Sequence, residues 1–301
     1  MVMTRTLVTG AAGFTGRYLT KLLAARGHEV HGLVHHQADE LLVDATAVHV
    51  ADLADYDAIG RVIDKVRPNH VVHLAGIAFV GHVDISELYR VNIVGTRQLL
   101  EALASLDQVP RSVVLASSAN IYGNAREGVL DETMLPAPAN DYGVSKVAAE
   151  NIAQLYTTRL PIVVARPFNY TGRGQAANFL VPKIIKKVRE RASSIELGNL
   201  DVARDFSDVR AVVDIYARLL DCPRAIGETY NICSGRAVTL KEILELVWNL
   251  TGHRFEVRID PALVRSDEVR VLAGNSAKLE SDIGQIAHVP LKDTLRWMLE
   301  D

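Results

Sequence analysis

Tyr142 and Lys146 stand four residues apart in the segment Asp141-Tyr142-Gly143-Val144-Ser145-Lys146. If that segment opens a helix, the phenol and the ammonium share one face, a turn apart. A phenol held beside an ammonium is a proton-transfer pair. An isolated Tyr has a pKa of about 10, and a neighbouring cation favours phenolate and lowers that value. By itself a YxxxK spacing is common, and its ordinary reading is a half-buried Tyr beside a solvated Lys. It gains meaning from the cluster Ser117-Ser118-Ala119-Asn120-Ile121-Tyr122-Gly123, which follows an apolar run at residues 112–116. A hydroxyl at the carboxyl end of a central strand is placed to hold a reacting oxygen, so Ser118, Tyr142 and Lys146 are the candidate catalytic groups.

The elements that must position them alternate along the chain. Residues 6–9 read as a buried strand, followed by Gly10-Ala11-Ala12-Gly13-Phe14-Thr15-Gly16 and then by the helical pattern Tyr18, Leu19, Leu22, Leu23. Glycines in this spacing between strand and helix permit a tight turn and let backbone N–H groups at a helix start approach a pyrophosphate. A second strand at 29–34 ends in His35-His36. The carboxylate that would bind an adenosine 2′-hydroxyl and select NAD is absent from that strand end, although Asp39 and Glu40 follow. Two imidazoles tolerate a 2′-phosphate, so NADP(H) is the expected cofactor and NAD(H) the alternative; the plainer role of His35 and His36 is to cap an exposed strand end.

Asp52-Leu53 and Ala75-Gly76 both fall just past strand ends, on the ligand-binding edge of a parallel sheet. Asp52 can accept from an adenine amino group, or it can cap the helix that begins near Asp55. His73 reads as a satisfied structural histidine, and no metal site is expected from His28, His31, His35 and His36. One long helix is predicted over 86–106, with Leu88, Val91, Val94, Leu99, Leu100 and Leu103 as its buried stripe. Asn92 interrupts that stripe. A buried amide must be hydrogen-bonded, so Asn92 should anchor the neighbouring strand or active-site loop. Residues 124–140 are expected to lack regular structure, with Asn140 or Asp141 capping the next helix. A further strand at 160–165 completes an alternation that predicts an α/β fold with a doubly wound parallel sheet.

Composition sets the outer bounds. The chain has 301 residues, 49% hydrophobic and 23% charged, with a net charge of -3. Those values suit a globular protein and give no basic excess for nucleic acid. No apolar run approaches the roughly 20 residues of a membrane span, and the first residues leave no room for a signal peptide. A cytoplasmic location is therefore expected. Cys222 and Cys233 lack metal-ligand spacing and are predicted to be buried thiols in a reducing compartment. Lys183, Lys186, Lys187, Arg189 and Arg191 read as the solvated face of a helix.

Taken together, Gly10/Gly13/Gly16, Asp52-Leu53, Ala75-Gly76, Asn92, Ser118 and Tyr142–Lys146 resemble the extended short-chain dehydrogenase/reductase superfamily over essentially the whole chain. The resemblance implies a Rossmann-like NAD(P)-binding domain, residues 1–166 with returning segments near 207–232, and a smaller C-terminal nucleotide-sugar domain from the rest of 167–301. It implies Ser118, Tyr142 and Lys146 as the catalytic trio. Cofactor contacts are implied for Gly10, Gly13, Phe14, Thr15 and Gly16, for His35, Asp52 and Leu53, for Leu74, Ala75, Gly76 and Asn92, and again for Tyr142 and Lys146. Homodimerisation through residues 86–106 and 142–156 is implied in the same way.

The later chain sharpens the likeness. Residues 166–172, 196–206 and 260–269 are similar to segments of enzymes acting on GDP-mannose derivatives. This places Asn169, Arg204 and Arg265 near a sugar diphosphate and Asn199 and Glu268 near the nucleoside, with Phe179 and Lys183 within reach of the nucleotide. By residue type alone both arginines read as surface groups, although guanidinium forks suit phosphate oxygens. Members that dehydrate their sugar carry a glutamate two residues after the catalytic hydroxyl. Here that position is Asn120, whose amide takes up no proton at neutral pH, so the elimination lacks its base. The implied activity is NAD(P)H-dependent reduction of the C4 ketone of GDP-4-keto-6-deoxy-D-mannose to GDP-D-rhamnose. Hydride goes to C4 while Tyr142 protonates the oxygen, Lys146 lowers the phenol pKa, and Ser118 donates to the same oxygen. The alternatives are 4-epimerisation of a nucleotide sugar, reduction to GDP-6-deoxy-D-talose, 4,6-dehydration of GDP-mannose and, outside catalysis, a redox sensor that binds NADP.

Overall fold

The computed structural model describes residues 3–78, 84–124, 128–261 and 271–300, with backbone alone at 41 and 42. The first half runs β1 (Arg5–Thr9), α1 (Phe14–Ala25), β2 (Glu29–Val34), β3 (Ala47–Val50), α2 (Tyr56–Val66), β4 (His70–His73), α3 (Ile85–Tyr89), α4 (Thr96–Ala104), β5 (Ser112–Ala116), β6 (Gly128–Leu130) and α5 (Asp141–Gln154). The second half continues with β7 (Ile162–Pro167), β8 (Asn169–Thr171), α6 (Leu180–Arg189), β9 (Ser194–Leu197), β10 (Ala203–Asp208), α7 (Val209–Leu220) and β11 (Thr229–Ile232). It closes with β12 (Ala237–Thr239), α8 (Leu240–Thr251), β13 (Glu256–Ile259), β14 (Val271–Gly274), α9 (Ala277–Ile283) and α10 (Leu291–Leu299).

Seven strands form one sheet in the order β11-β7-β5-β4-β1-β2-β3, all parallel. The order reverses beside β1, which opens a crevice at the carboxyl ends of β1 and β4. Apolar clusters cover both faces. Leu19, Leu23, Val212 and Tyr216 of α1 and α7 lie on one side, and Ile59, Ile63, Leu99 and Leu103 of α2 and α4 on the other. A strand buried on both faces explains why β5 reads as an apolar run. Beyond this layer β12, β10, β14 and β6 form a second sheet, with β8 paired to β10, while β9 pairs with β13. A third apolar cluster joins α6, α8 and α10 there.

Three expectations are corrected. The helix over 86–106 is interrupted by a π-helical turn, Arg90–Gly95, between α3 and α4. The wider turn rotates Asn92 inward, and Thr96 Oγ1 donates to the Asn92 carbonyl at 2.7 Å. Residues 124–140 contain β6, which exists through parallel pairing with β14, about 140 residues away by sequence, an order of separation that local patterning does not reveal. Of the two thiols, Cys233 is buried but Cys222 is partly exposed.

Candidate active site

The glycine loop shows why its residues are what they are. Gly10 sits at φ +67°, and a Cβ there would meet Ala75 Cα at 2.8 Å, while one on Gly16 would lie 2.2 Å from the Gly10 carbonyl oxygen. The start of α1 therefore closes directly on the loop, so that positions 10 and 16 have no room for a side chain. Gly10, Gly13, His35, Asp52, Ala75 and Gly76 line a cleft of about 240 Å³, with Leu53 on the same wall. Phe14 and Thr15 instead face β8: the Phe14 ring lies parallel to Tyr170 at 6.1 Å, and Thr15 Oγ1 is 2.8 Å from the Tyr170 hydroxyl. Leu74 packs against the core behind the cleft.

The end of this cleft beside β2 and β3 brings His35, Asp52 and Arg90 together. His35 Nε2 is 3.9 Å from Asp52 Oδ2, and the His35 and His36 rings stand 4.1 Å apart. Asp52 accepts from Arg90 Nη1 at 2.7 Å and from the Ala54 N–H at 2.9 Å, and these bonds hold its carboxyl below the usual range against the opposing effect of burial. The helix cap belongs to Asp55, which accepts from the Ala58 N–H at 3.0 Å. Asp39 lines the cleft, but its carboxylate accepts from the His36 N–H at 3.4 Å.

Asn92 is 1% exposed and ties three elements together. Its Oδ1 accepts from the Ile77 N–H at 2.8 Å, and its Nδ2 donates to the Ile77 carbonyl at 3.1 Å and to Ser145 Oγ at 3.0 Å. The loop after β4 is thereby fixed to α5, as the buried amide required. His73 is held between Thr9 Oγ1 at 2.7 Å and Thr96 Oγ1 at 3.0 Å, and burial pushes its pKa down to about 3.

Asn140 caps α5 by accepting from the Gly143 N–H at 2.8 Å. Tyr142 and Lys146 then face inward, with Lys146 Nζ 5.9 Å from the phenol ring centre. That ammonium donates to the Ala116 carbonyl at 2.9 Å, and a Cβ placed on Gly76 would stand 3.5 Å from it. Lys146 therefore reaches the floor of the cleft. Burial lowers its pKa to about 8, with Glu150 opposing. Tyr142 departs from expectation: burial pushes the phenol up to about 12, and the influence that lowers it is a hydrogen bond with Ser118, not the Lys146 charge. The ammonium lies against the ring side of the phenol and is committed to a carbonyl. Asn120, exposed beside the trio, places its backbone N–H 3.2 Å and its Nδ2 3.1 Å from Ser118 Oγ.

Several supporting residues escaped the sequence. Glu150 accepts from Ser117 Oγ at 2.5 Å and from Arg166 at 3.0 and 2.7 Å. Arg166 Nη1 also donates to the Tyr122 hydroxyl at 3.0 Å, and that hydroxyl donates to Asn231 Oδ1 at 2.8 Å. The recurrence of Tyr142, Lys146 and Glu150 at four-residue steps was the available signal for Glu150. Gly143 carries no side chain because a Cβ there would lie 2.7 Å from the Asn120 carbonyl oxygen.

The proposed substrate groups are more dispersed. Asn169, exposed on β8, donates weakly to the Asp205 carbonyl at 3.4 Å. Lys183 donates to the Glu196 carbonyl at 2.8 Å and so ties α6 to β9, while Phe179 stands at the N-cap of α6. Asn199 Oδ1 accepts from the Asp201 N–H at 3.0 Å, and Arg204 Nη1 donates to the Ala203 carbonyl at 3.0 Å. Arg265 and Glu268 lie outside the described residues.

Comparison with known proteins agrees with this geometry. The family described as GDP-mannose 4,6 dehydratase matches residues 7–298. GDP-6-deoxy-D-talose 4-dehydrogenase of Aggregatibacter actinomycetemcomitans is 36% identical over 279 residues, 92% of this chain and 90% of that one. GDP-6-deoxy-D-mannose reductase of Pseudomonas aeruginosa is 33% identical over 308 residues, 99% of this chain and 96% of that one. The structure of RMD from Pseudomonas aeruginosa complexed with NADPH superposes with a TM-score of 0.85 at 31% identity, covering 99% of this chain and 97% of that one. The chain belongs to the GDP-mannose 4,6-dehydratase-like family of extended short-chain dehydrogenases/reductases.

Proposed function

We propose that the protein is an NAD(P)H-dependent oxidoreductase that reduces the C4 ketone of GDP-4-keto-6-deoxy-D-mannose, giving GDP-D-rhamnose. The observation that carries this reading is Asn120, whose Nδ2 donates to Ser118 Oγ at 3.1 Å and whose carbonyl lies against Gly143 beside Tyr142. The site holds a proton donor for a reacting oxygen but has an amide where C5 deprotonation needs an acid-base group. The two GDP-sugar relatives, named as a reductase and a 4-dehydrogenase, support oxidation–reduction at C4. They differ in the sugar named, and the C4 configuration of the product separates the two.

The glycine loop, His35, Ala75, Gly76 and Lys146 fit a dinucleotide: Gly10, Gly13, His35, Ala75 and Gly76 line one cleft, and Lys146 reaches its floor. When bound, the reduced cofactor supplies hydride to the ketone. Tyr142 holds the proton that the C4 oxygen takes up, and Lys146 orients the sugar-facing end of the cleft. Asp39 is engaged with the His36 N–H, and no carboxylate closes the end of β2, which supports NADP(H) over NAD(H). The relative solved with NADPH supports the same choice. The division into a cofactor half (1–166 with 207–232) and a sugar half (the rest of 167–301) belongs to the proposal, as do a homodimer and a cytoplasmic location; among the described residues no helix is long and apolar enough to cross a membrane.

Incubation with the keto-sugar and NADPH tests the reaction class. One NADPH should disappear per sugar reduced. Conversion of a GDP-hexose to its C4 epimer with no added cofactor and no net NADPH oxidation would replace the reductase by an epimerase.

A further inference from the structure

Arg90 stands in the π-helical turn between α3 and α4, and no motif in the sequence marked it as a site residue. Its Nη1 donates to Asp52 Oδ2 at 2.7 Å. His35 Nε2 faces the same oxygen at 3.9 Å. One carboxylate oxygen thus stands between an imidazole just past the end of β2 and a guanidinium from the turn before α4. The end of β2 is where a dinucleotide-binding sheet reads the adenosine 2′ position. Asp39, Asp52 and Glu87 all bring carboxylates to the lining of this cleft. A 2′-hydroxyl is indifferent to that charge, but a 2′-phosphate brings about two negative charges of its own. We propose that Arg90 is the cofactor-specificity residue of this chain: by pairing with Asp52 it cancels the carboxylate that faces His35, so that the cleft accepts a 2′-phosphate. This deepens the oxidoreductase reading and rests on its dinucleotide cleft, not on the identity of the sugar.

The carboxylate is held for this pairing from both sides. Asp52 Oδ1 accepts from the Ala54 N–H at 2.9 Å, which leaves Oδ2 to Arg90 and His35. Asp39 is directed elsewhere, to the His36 N–H at 3.4 Å. The Arg90 and Asp52 side chains are 42% and 33% exposed, so their ion pair contributes little to folding. Its effect on a ligand charge a few ångströms away is larger, because screening at 0.1 M salt acts only beyond about 10 Å. A guanidinium is charged at every working pH, whereas a neutral imidazole offers a hydrogen bond and no charge. The preference for NADP(H) therefore belongs to the Arg90–Asp52 pair, with His35 as its neighbour.

Calorimetric titration of the full chain with NADP⁺ and with NAD⁺, without sugar and at low salt, tests this. In Arg90→Ala, affinity for NADP⁺ should fall about tenfold while affinity for NAD⁺ stays within about twofold, the scale of one uncancelled charge beside a dianion. Arg90→Lys keeps the charge and should stay within about threefold of wild type. Adding Asp52→Asn to Arg90→Ala removes the uncancelled charge but keeps a side-chain acceptor, and should restore NADP⁺ binding to within about threefold of wild type. Equal losses for both nucleotides in Arg90→Ala would overturn the proposal and make Arg90 a prop for the cleft wall. Unrestored NADP⁺ binding in the double variant would overturn charge cancellation in favour of direct phosphate contact. Wild-type protein that binds NAD⁺ at least as tightly as NADP⁺ would remove the preference itself. No sugar takes part, so protein inert towards the keto-sugar would sink the proposed reduction while this inference is still decided.

Discussion

At the scale of single residues, the proposed reduction makes the phenol of Tyr142 the group on which turnover should depend. It is buried, its pKa is pushed up to about 12, and it therefore holds its proton throughout the ordinary assay range. Tyr142→Phe should reduce kcat by at least about 100-fold while NADPH affinity, measured by fluorescence titration, changes little. Near-wild-type turnover would remove Tyr142 from the mechanism. Its placement beside Lys146 on the inward face of α5 was legible from their four-residue spacing. Its electrostatics were not: burial and the Ser118 hydrogen bond depend on β5 and α5 meeting in space, which no local pattern encodes. Asp52 teaches the same lesson, since its Arg90 partner comes from a π-helical turn.

At the scale of elements, α5 presents Tyr142, Lys146 and Glu150 on one face, and Arg166 of β7 clamps the last of them. The Glu150 carboxylate raises the Lys146 pKa against the effect of burial, so Glu150→Gln should lower it. If Lys146 acts as the ammonium, activity falls as pH rises through about 8, and the variant should show that fall at lower pH. The same change leaves Arg166 buried without its partner, a loss of about 3–5 kcal/mol that thermal unfolding would register. A stability loss with an unmoved pH profile would make the clamp structural only. The glycine loop gives a second element-scale outcome. In Gly16→Ala the new Cβ would stand 2.2 Å from the Gly10 carbonyl oxygen, so NADPH binding should weaken by at least about tenfold, read by titration. Loop, helix start and catalytic helix were all readable because glycine spacing and capping residues act over a few positions. β6 was not, because its hydrogen bonds come from β14.

At the scale of the whole molecule, the central sheet is stitched by a buried imidazole. His73 joins β1 and α4 through Thr9 and Thr96, and its folded pKa of about 3 lies below the usual histidine value. The unfolded chain therefore binds the proton first as pH falls. Stability from this group is fully present above about pH 6.5 and is lost progressively towards pH 3, by about 1.4 kcal/mol per unit where only the unfolded state is protonated. His49 and His70 shift in the same direction through burial. The melting temperature should drop steadily below pH 6.5, and His73→Asn should flatten part of that slope; an unchanged slope would assign the acid sensitivity to other groups. The parallel α/β architecture followed from the alternation of strands and helices. No such pattern arranged the later segments, where Asn169, Lys183, Asn199 and Arg204 hydrogen-bond to backbone groups of the protein itself. The central claim is a C4 reduction set by the trio and Asn120, and one NMR experiment tests it most directly. Incubated with NADPH and GDP-4-keto-6-deoxy-D-mannose, the protein should yield GDP-D-rhamnose, with large H3–H4 and H4–H5 couplings from an equatorial C4 hydroxyl. Small couplings would mean the axial talose product, and an intact ketone with unoxidised NADPH would contradict the account altogether.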